Sequence, residues 1–213
     1  MVRQLQNIMK DHVSTNRNAY LFLLMTFMLG ICAGAFTVNG LSTMQMDELS
    51  NYFQGFIQLF NNENMKSSDL FSIALLENLK LIGLLWILGV SIIGLPFIFL
   101  ILGVKGFITG FSSGFIIRVL GMKGLLFSGF ALLPKEIIIV PCLIAIGVNG
   151  NNFSIRIAKN KLPEGIQKSS LKTAFVTYCL ITILFTCIIL AGLLFDAYII
   201  PILLRMILPV IRI

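Results

Sequence analysis

Charge is scarce in this chain. Only 12% of its 213 residues are Asp, Glu, Lys or Arg, against about 25% in a typical soluble domain. A water-soluble surface cannot be built from so little. Histidine is nearly missing too: His12 is the only one and has no second metal ligand near it. The four cysteines, Cys32, Cys142, Cys179 and Cys187, lie inside apolar stretches without CxxC spacing. They read as small apolar packing residues, not as disulfides or metal ligands. The polar segments hold no Ser/His/Asp set, no HExxH, no Cys/His pair and no P-loop. The apolar ones hold no GxSG with histidine and no paired aspartates. The expectation is a protein that is not an enzyme and carries no cofactor or metal.

What is present is hydrocarbon. Mean hydropathy is +0.95, and residues 20–41 and 81–102 contain no charged side chain. Residues 174–195 repeat the pattern. About 20 apolar residues at about 1.5 Å each cross about 30 Å of hydrocarbon, so three spans are expected here. Residues 106–120 would reach only about 22 Å and end in Arg118, which can snorkel to headgroups. Residues 125–148 are interrupted by Pro134-Lys135-Glu136 and Pro141. These two segments predict a short, broken central pair or a re-entrant hairpin. The tail, 197–213, carries Arg205, Arg212, Pro201 and Pro209 and reads as a short sixth span or an interfacial helix, the span being favoured. The fold class expected is all-α: a polytopic integral membrane protein of five to six transmembrane helices, forming one domain over 1–213. Small residues around Ala33-Gly34-Ala35 resemble a signal-peptide cleavage site, but the apolar run continues past them, which argues for a retained span.

The net charge of +7 comes from cations clustered beside apolar runs. That pattern orients membrane proteins, and no nucleic-acid-binding motif accompanies it. Arg3, Lys10 and Arg17 precede the first span, whereas Lys66 is the only Lys or Arg in 42–78. The arm 1–19 is therefore expected in the cytoplasm, as a short amphipathic surface helix or a solvated signal, and the loop 42–78 outside. Lys105 would return to the cytoplasmic side. The loop 149–173 holds Arg156, Lys159, Lys161, Lys168 and Lys172 and agrees by being cytoplasmic.

Three features stand out as candidate sites. Gly30 and Gly34, and the ridge Gly106, Gly110 and Gly114, repeat every four residues, which lets backbones approach closely. The first pair is expected to serve self-association, a homodimer, or a seam within the chain. In the external loop, Leu49, Phe53, Phe56, Ile57 and Phe60 form an apolar stripe on a helix of roughly 15 residues. Phe53, Phe56 and Phe60 are candidate partner-docking residues, the alternative being packing on the membrane or on the protein's own spans. A second helix is expected to start near Ser68 and run into the second span. Pro134, Lys135 and Glu136 form an intramembrane polar break. A charge at the bilayer centre costs about 2.5–3.5 kcal/mol, so these charges must pair with backbone, Arg118 or headgroups, or else line a pathway.

The order His12-Val13, Asn16-Arg17, Tyr20-Leu21-Phe22, Gly30, Gly34-Ala35, Val38-Asn39-Gly40 resembles the stage II sporulation protein M family of endospore-forming bacteria. The likeness continues through a polar loop, a long second span, a Gly-rich third and Leu133-Pro134…Pro141. The broader family's fourth span looks like Pro-His-Gly-x-x-Glu-x-Pro. Here Pro134 and Pro141 match, while Lys135, Glu136 and Ile139 replace the histidine, glycine and acidic positions. The departure suits a scaffold better than a pump. The resemblance implies a non-enzymatic anchor in the septal and engulfing membrane. Its implied partners are the lipid bilayer and the peptidoglycan hydrolases stage II sporulation proteins D and P. A transporter or channel subunit, using the broken Gly-rich helices, is the rival reading.

Overall fold

The computed structural model describes Ser14 and residues 16–61, 67–91, 93–160 and 168–211, and every regular element among them is an α-helix. In chain order these are α1 (Arg17–Asn39), α2 (Thr43–Asn61), α3 (Ser67–Val90), α4 (Gly94–Leu120), α5 (Met122–Ala131), α6 (Leu133–Asn160) and α7 (Lys168–Ile211). Five helices hold a stretch long and apolar enough to cross a bilayer: Arg17–Asn39, Phe71–Val90, Gly94–Leu120, Leu133–Ala158 and Leu171–Tyr198. The chain is an all-α, multi-pass membrane protein. Most of the arm 1–19, with its early cations Arg3 and Lys10, lies outside the described residues.

The apolar run 81–102 is not one span. It bends back at Ser91, where the Ser91 amide bonds to the Leu88 carbonyl (3.0 Å) and the Gly94 amide to the Ser91 carbonyl (3.1 Å). The reason is Pro96, which has no N–H and clashes with the preceding turn in a helix interior but fits a first turn, whose amides are unpaired anyway. A helix continuing from α3 would put Pro96 in its interior; starting at Gly94 puts it in the first turn. Hydropathy is blind to this, because Ile92, Ile93 and Leu95 keep the run greasy. The third segment consequently begins at Gly94, not Gly106, and at 27 residues is a full crossing of about 40 Å. The short member of the central pair is α5, with 10 residues, which follows a turn at Gly121, φ +60. That left-handed backbone conformation favours glycine. Beyond it, Gly124 lies against the Ile116 carbonyl, so α5 folds back along α4.

The expected helix start near Ser68 agrees with α3, which opens at Ser67 and continues into the second span. The loop expected over 42–78 thus contains α2 and the beginning of a spanning helix. Ser42 and Gln45 cap α2 reciprocally: the Ser42 amide donates to Gln45 Oε1 at 3.1 Å and the Gln45 amide to Ser42 Oγ at 3.4 Å, a capping box. At the other end of the chain, no separate sixth span forms. The backbone runs helically from Lys168 to Ile211 without a turn at Asp196, a length of about 66 Å.

The core is organised around α6. Ile139, Val140 and every residue from Cys142 to Ile146 are buried. A helix apolar on all sides needs neighbours on all sides, and α1, α3, α4 and α7 supply them through Leu23, Phe27, Leu85, Leu102, Ile189 and Leu193. Near Ser91 the bundle is tied by hydrogen bonds. Ser154 Oγ donates to the Ser91 carbonyl (2.7 Å), Tyr178 Oη to the Trp86 carbonyl (2.8 Å) and Asn149 Nδ2 to the Tyr178 carbonyl (3.0 Å). The Tyr178 ring stacks on Phe153, centroids 4.8 Å apart.

Candidate functional site

α1 and α4 run parallel with their backbones in contact. A Cβ on Gly30 would strike the Gly103 carbonyl and come within 3.0 Å of the Phe107 nitrogen. One on Gly34 would strike the Phe107 carbonyl and come within 2.7 Å of the Phe111 nitrogen. From the other side, Gly106 faces the Phe27 carbonyl, Gly110 the Ile31 carbonyl and Gly114 the Cα of Ala35. Each glycine ridge therefore takes the backbone of the other helix. Self-association through Gly30 and Gly34 is corrected on this ground: α4 of the same chain covers that face. In a bilayer, where burial from water contributes nothing between helices, such close contact is what holds them. Arg118 closes the seam, its guanidinium donating to the Val38 carbonyl in the last turn of α1, where a cation also complements the helix dipole. It serves the protein's own backbone, not headgroups.

The seam sets depth. Gly103 and Gly106 face Gly30 and Phe27, so Lys105 is level with the middle of α1, about 16 Å from each end at about 1.5 Å per residue. The expectation that Lys105 returns to a membrane surface is overturned. Lys105 Nζ instead donates to Glu136 Oε1 at 3.2 Å, with side chains 21% and 11% exposed. Glu136 reaches this depth because α5 first carries the chain back along α4, so that α6 begins well inside the bundle. The polar break at Pro134, Lys135 and Glu136 thus finds its ion-pair partner in Lys105 of α4, through Glu136. Asp196 of α7 lies within electrostatic reach of Lys135 and Glu136. Glu136 Oε2 and Asp196 Oδ1 are buried and have no hydrogen-bond partner among the described residues. Chemically this is a clamp joining α4 to α6, since an ion pair out of water holds only while both charges face each other. The signal that could have located Lys105 was Pro96, which resets where the third span starts.

The aromatic stripe of α2 turns inward at Phe53. Its ring stands edge-on to Phe115 and Phe127, centroids 6.0 Å away in each case, within a second cluster that includes Val38 and Ile116. Phe53 is therefore corrected from a partner-docking residue to the anchor of α2 on its own bundle. Phe56 and Phe60 belong to α2 by backbone, but their side chains lie outside the described residues. The opposite face is open. Met44 is 82% and Tyr52 74% exposed, and Asp47, Glu48, Asn51 and Gln54 are exposed with them.

No curated protein and no solved structure matches this chain. The family model described as Stage II sporulation protein M does match, over residues 23–201. That interval takes in the glycine seam, the Lys105–Glu136 clamp, α2 and the spanning part of all five membrane helices save the first residues of α1. With so much of its length accounted for by one pattern, the chain belongs to the stage II sporulation protein M family.

Proposed function

We propose that this sporulation membrane protein is a non-enzymatic anchor that gathers peptidoglycan-degrading enzymes, stage II sporulation proteins D and P, at the septal and engulfing membrane. The observation that carries the reading is the placement of α2. It is pinned to the bundle by Phe53 and turns a continuous face of Met44, Asp47, Glu48 and Tyr52 away from the protein. A rigidly held helix with an exposed aromatic and acidic groups suits protein docking. The cation balance puts α2 outside the cytoplasm, on the side of the cell wall, with Arg17 and the basic segment after Asn149 inside. Tethering hydrolases there raises their effective concentration at the advancing membrane edge. The test is co-purification in mild detergent from sporulating cells. Changing Met44 and Tyr52 to alanine and Glu48 to lysine should release both hydrolases while the protein still inserts. Undiminished recovery of both would overturn the docking surface.

The transporter reading keeps one observation in its favour: Glu136 Oε2 and Asp196 Oδ1 are buried in the bundle without a hydrogen-bond partner among the described residues. Solute or ion flux in proteoliposomes that disappears in Glu136→Gln, with hydrolase binding intact, would favour it over the anchor.

A further inference from the structure

The spanning stretch of α3 carries two charges where a membrane helix should carry none. Within its spanning stretch Phe71–Val90, Lys80 lies about 14 Å from one end and about 15 Å from the other at about 1.5 Å per residue. Glu77 sits one turn away on the same face. Both are exposed, flanked by exposed Ile73, Leu76, Leu84 and Ile87. The Lys105–Glu136 pair is the ion pair found among the described residues, and it includes neither. The face is patterned as well. Ile73, Leu76, Lys80, Gly83, Ile87 and Val90 alternate spacings of three and four, the spacing of a single helix face, which a seam between two wound helices also uses. A Cβ on Gly83 would meet nothing within 4 Å, so this point of the seam is open to a close neighbour.

We infer that the α3 face built on Glu77 and Lys80 is the contact between two copies of this chain, arranged about a two-fold axis along the membrane normal. Charge complementarity selects a second copy. In a symmetric pair every contact is made twice, i with j and j with i: Glu77 of one copy reaches Lys80 of the other and the reverse, across a rise of about 4.5 Å that the two long side chains span. Four charges are neutralised without any foreign group. Two copies inserted in the same orientation place their α3 helices parallel, as this pairing needs. The contact is separate from the glycine seam and does not depend on the anchor reading.

The test uses the full chain in liposomes, with donor- and acceptor-labelled copies and energy transfer as readout. The wild type should dimerise. Lys80→Glu alone and Glu77→Lys alone should each self-associate at least tenfold more weakly, because every cross-pair becomes repulsive. Mixing the two variants should restore dimers, since each then supplies what the other lacks. A monomeric wild type, variants that self-associate like the wild type, or a mixture that stays apart would overturn the proposal. A second measurement covers variants that fail to insert. With Cys32, Cys142, Cys179 and Cys187 replaced by alanine, Ile87→Cys should cross-link to a dimer on mild oxidation, whereas Leu29→Cys on the lipid face of α1 should not. Cross-linking at both positions or at neither would count against it. A foreign helix covering this face would show as a wild type that is monomeric when pure.

Discussion

Replacing Glu136 with glutamine keeps the shape of the side chain and removes its charge, leaving Lys105 without its counter-charge in the middle of the bundle. At the observed 3.2 Å, the attraction lost is about 5 kcal/mol at an effective dielectric constant of about 20. Losing one partner of such a buried pair leaves the other uncompensated and destabilises by about 3–5 kcal/mol. The exposures of 21% and 11% put this pair toward the lower end, about 3 kcal/mol. Lys105→Met should cost a comparable amount. The double variant should lose only about 1 kcal/mol or less, because two neutral side chains no longer need each other. Stability is read by titrating sodium dodecyl sulfate into mixed micelles and following fluorescence from Trp86, the only tryptophan. Trp86 reports on the bundle because its carbonyl accepts from Tyr178 and its ring lies near Phe175. The decisive quantity is the coupling between the two substitutions. If the losses simply add, leaving the double variant worse than either single one, the clamp reading fails.

Gly34→Leu should separate α1 from α4 and destabilise by about 3 kcal/mol or more, at the upper end of overpacking, measured by the same titration. Gly129→Ala is the control: nothing lies within 4 Å of its added Cβ, so a gain of about 0.5–1 kcal/mol is expected from helix propensity alone. Phe53→Ala removes two edge-on aromatic contacts worth about 1–3 kcal/mol together. It should loosen α2 enough that protease cuts within 43–61 appear in intact proteoliposomes while the five spans stay protected; an unchanged cleavage pattern would show that Phe53 is not the anchor.

Membrane residence, helical class and the small-residue faces were legible from composition and spacing, because each depends on what a residue is and not on what it meets. The helix starting at Ser67 was legible, to within a residue, from the serines that precede its apolar run. Three features were not. The reversal at Ser91 hid inside an unbroken apolar run, and only the fixed geometry of Pro96 marked it. The partner of Glu136 was hidden because a span ending at Leu102 puts Lys105 at the cytoplasmic surface. The direction of Phe53 was hidden because an amphipathic stripe looks the same whether it faces lipid, a partner or the protein's own spans.

Hydrocarbon-rich segments, few charges and glycines at helical intervals dictate that this chain enters a bilayer as helices, since a backbone in lipid must satisfy its own hydrogen bonds. Which glycine ridge meets which, which lysine neutralises Glu136, and which face of α3 is left bearing Glu77 and Lys80 were settled only by packing. Those contacts join residues far apart in the chain, and local propensity carries no information about how five similar greasy helices arrange themselves around one another.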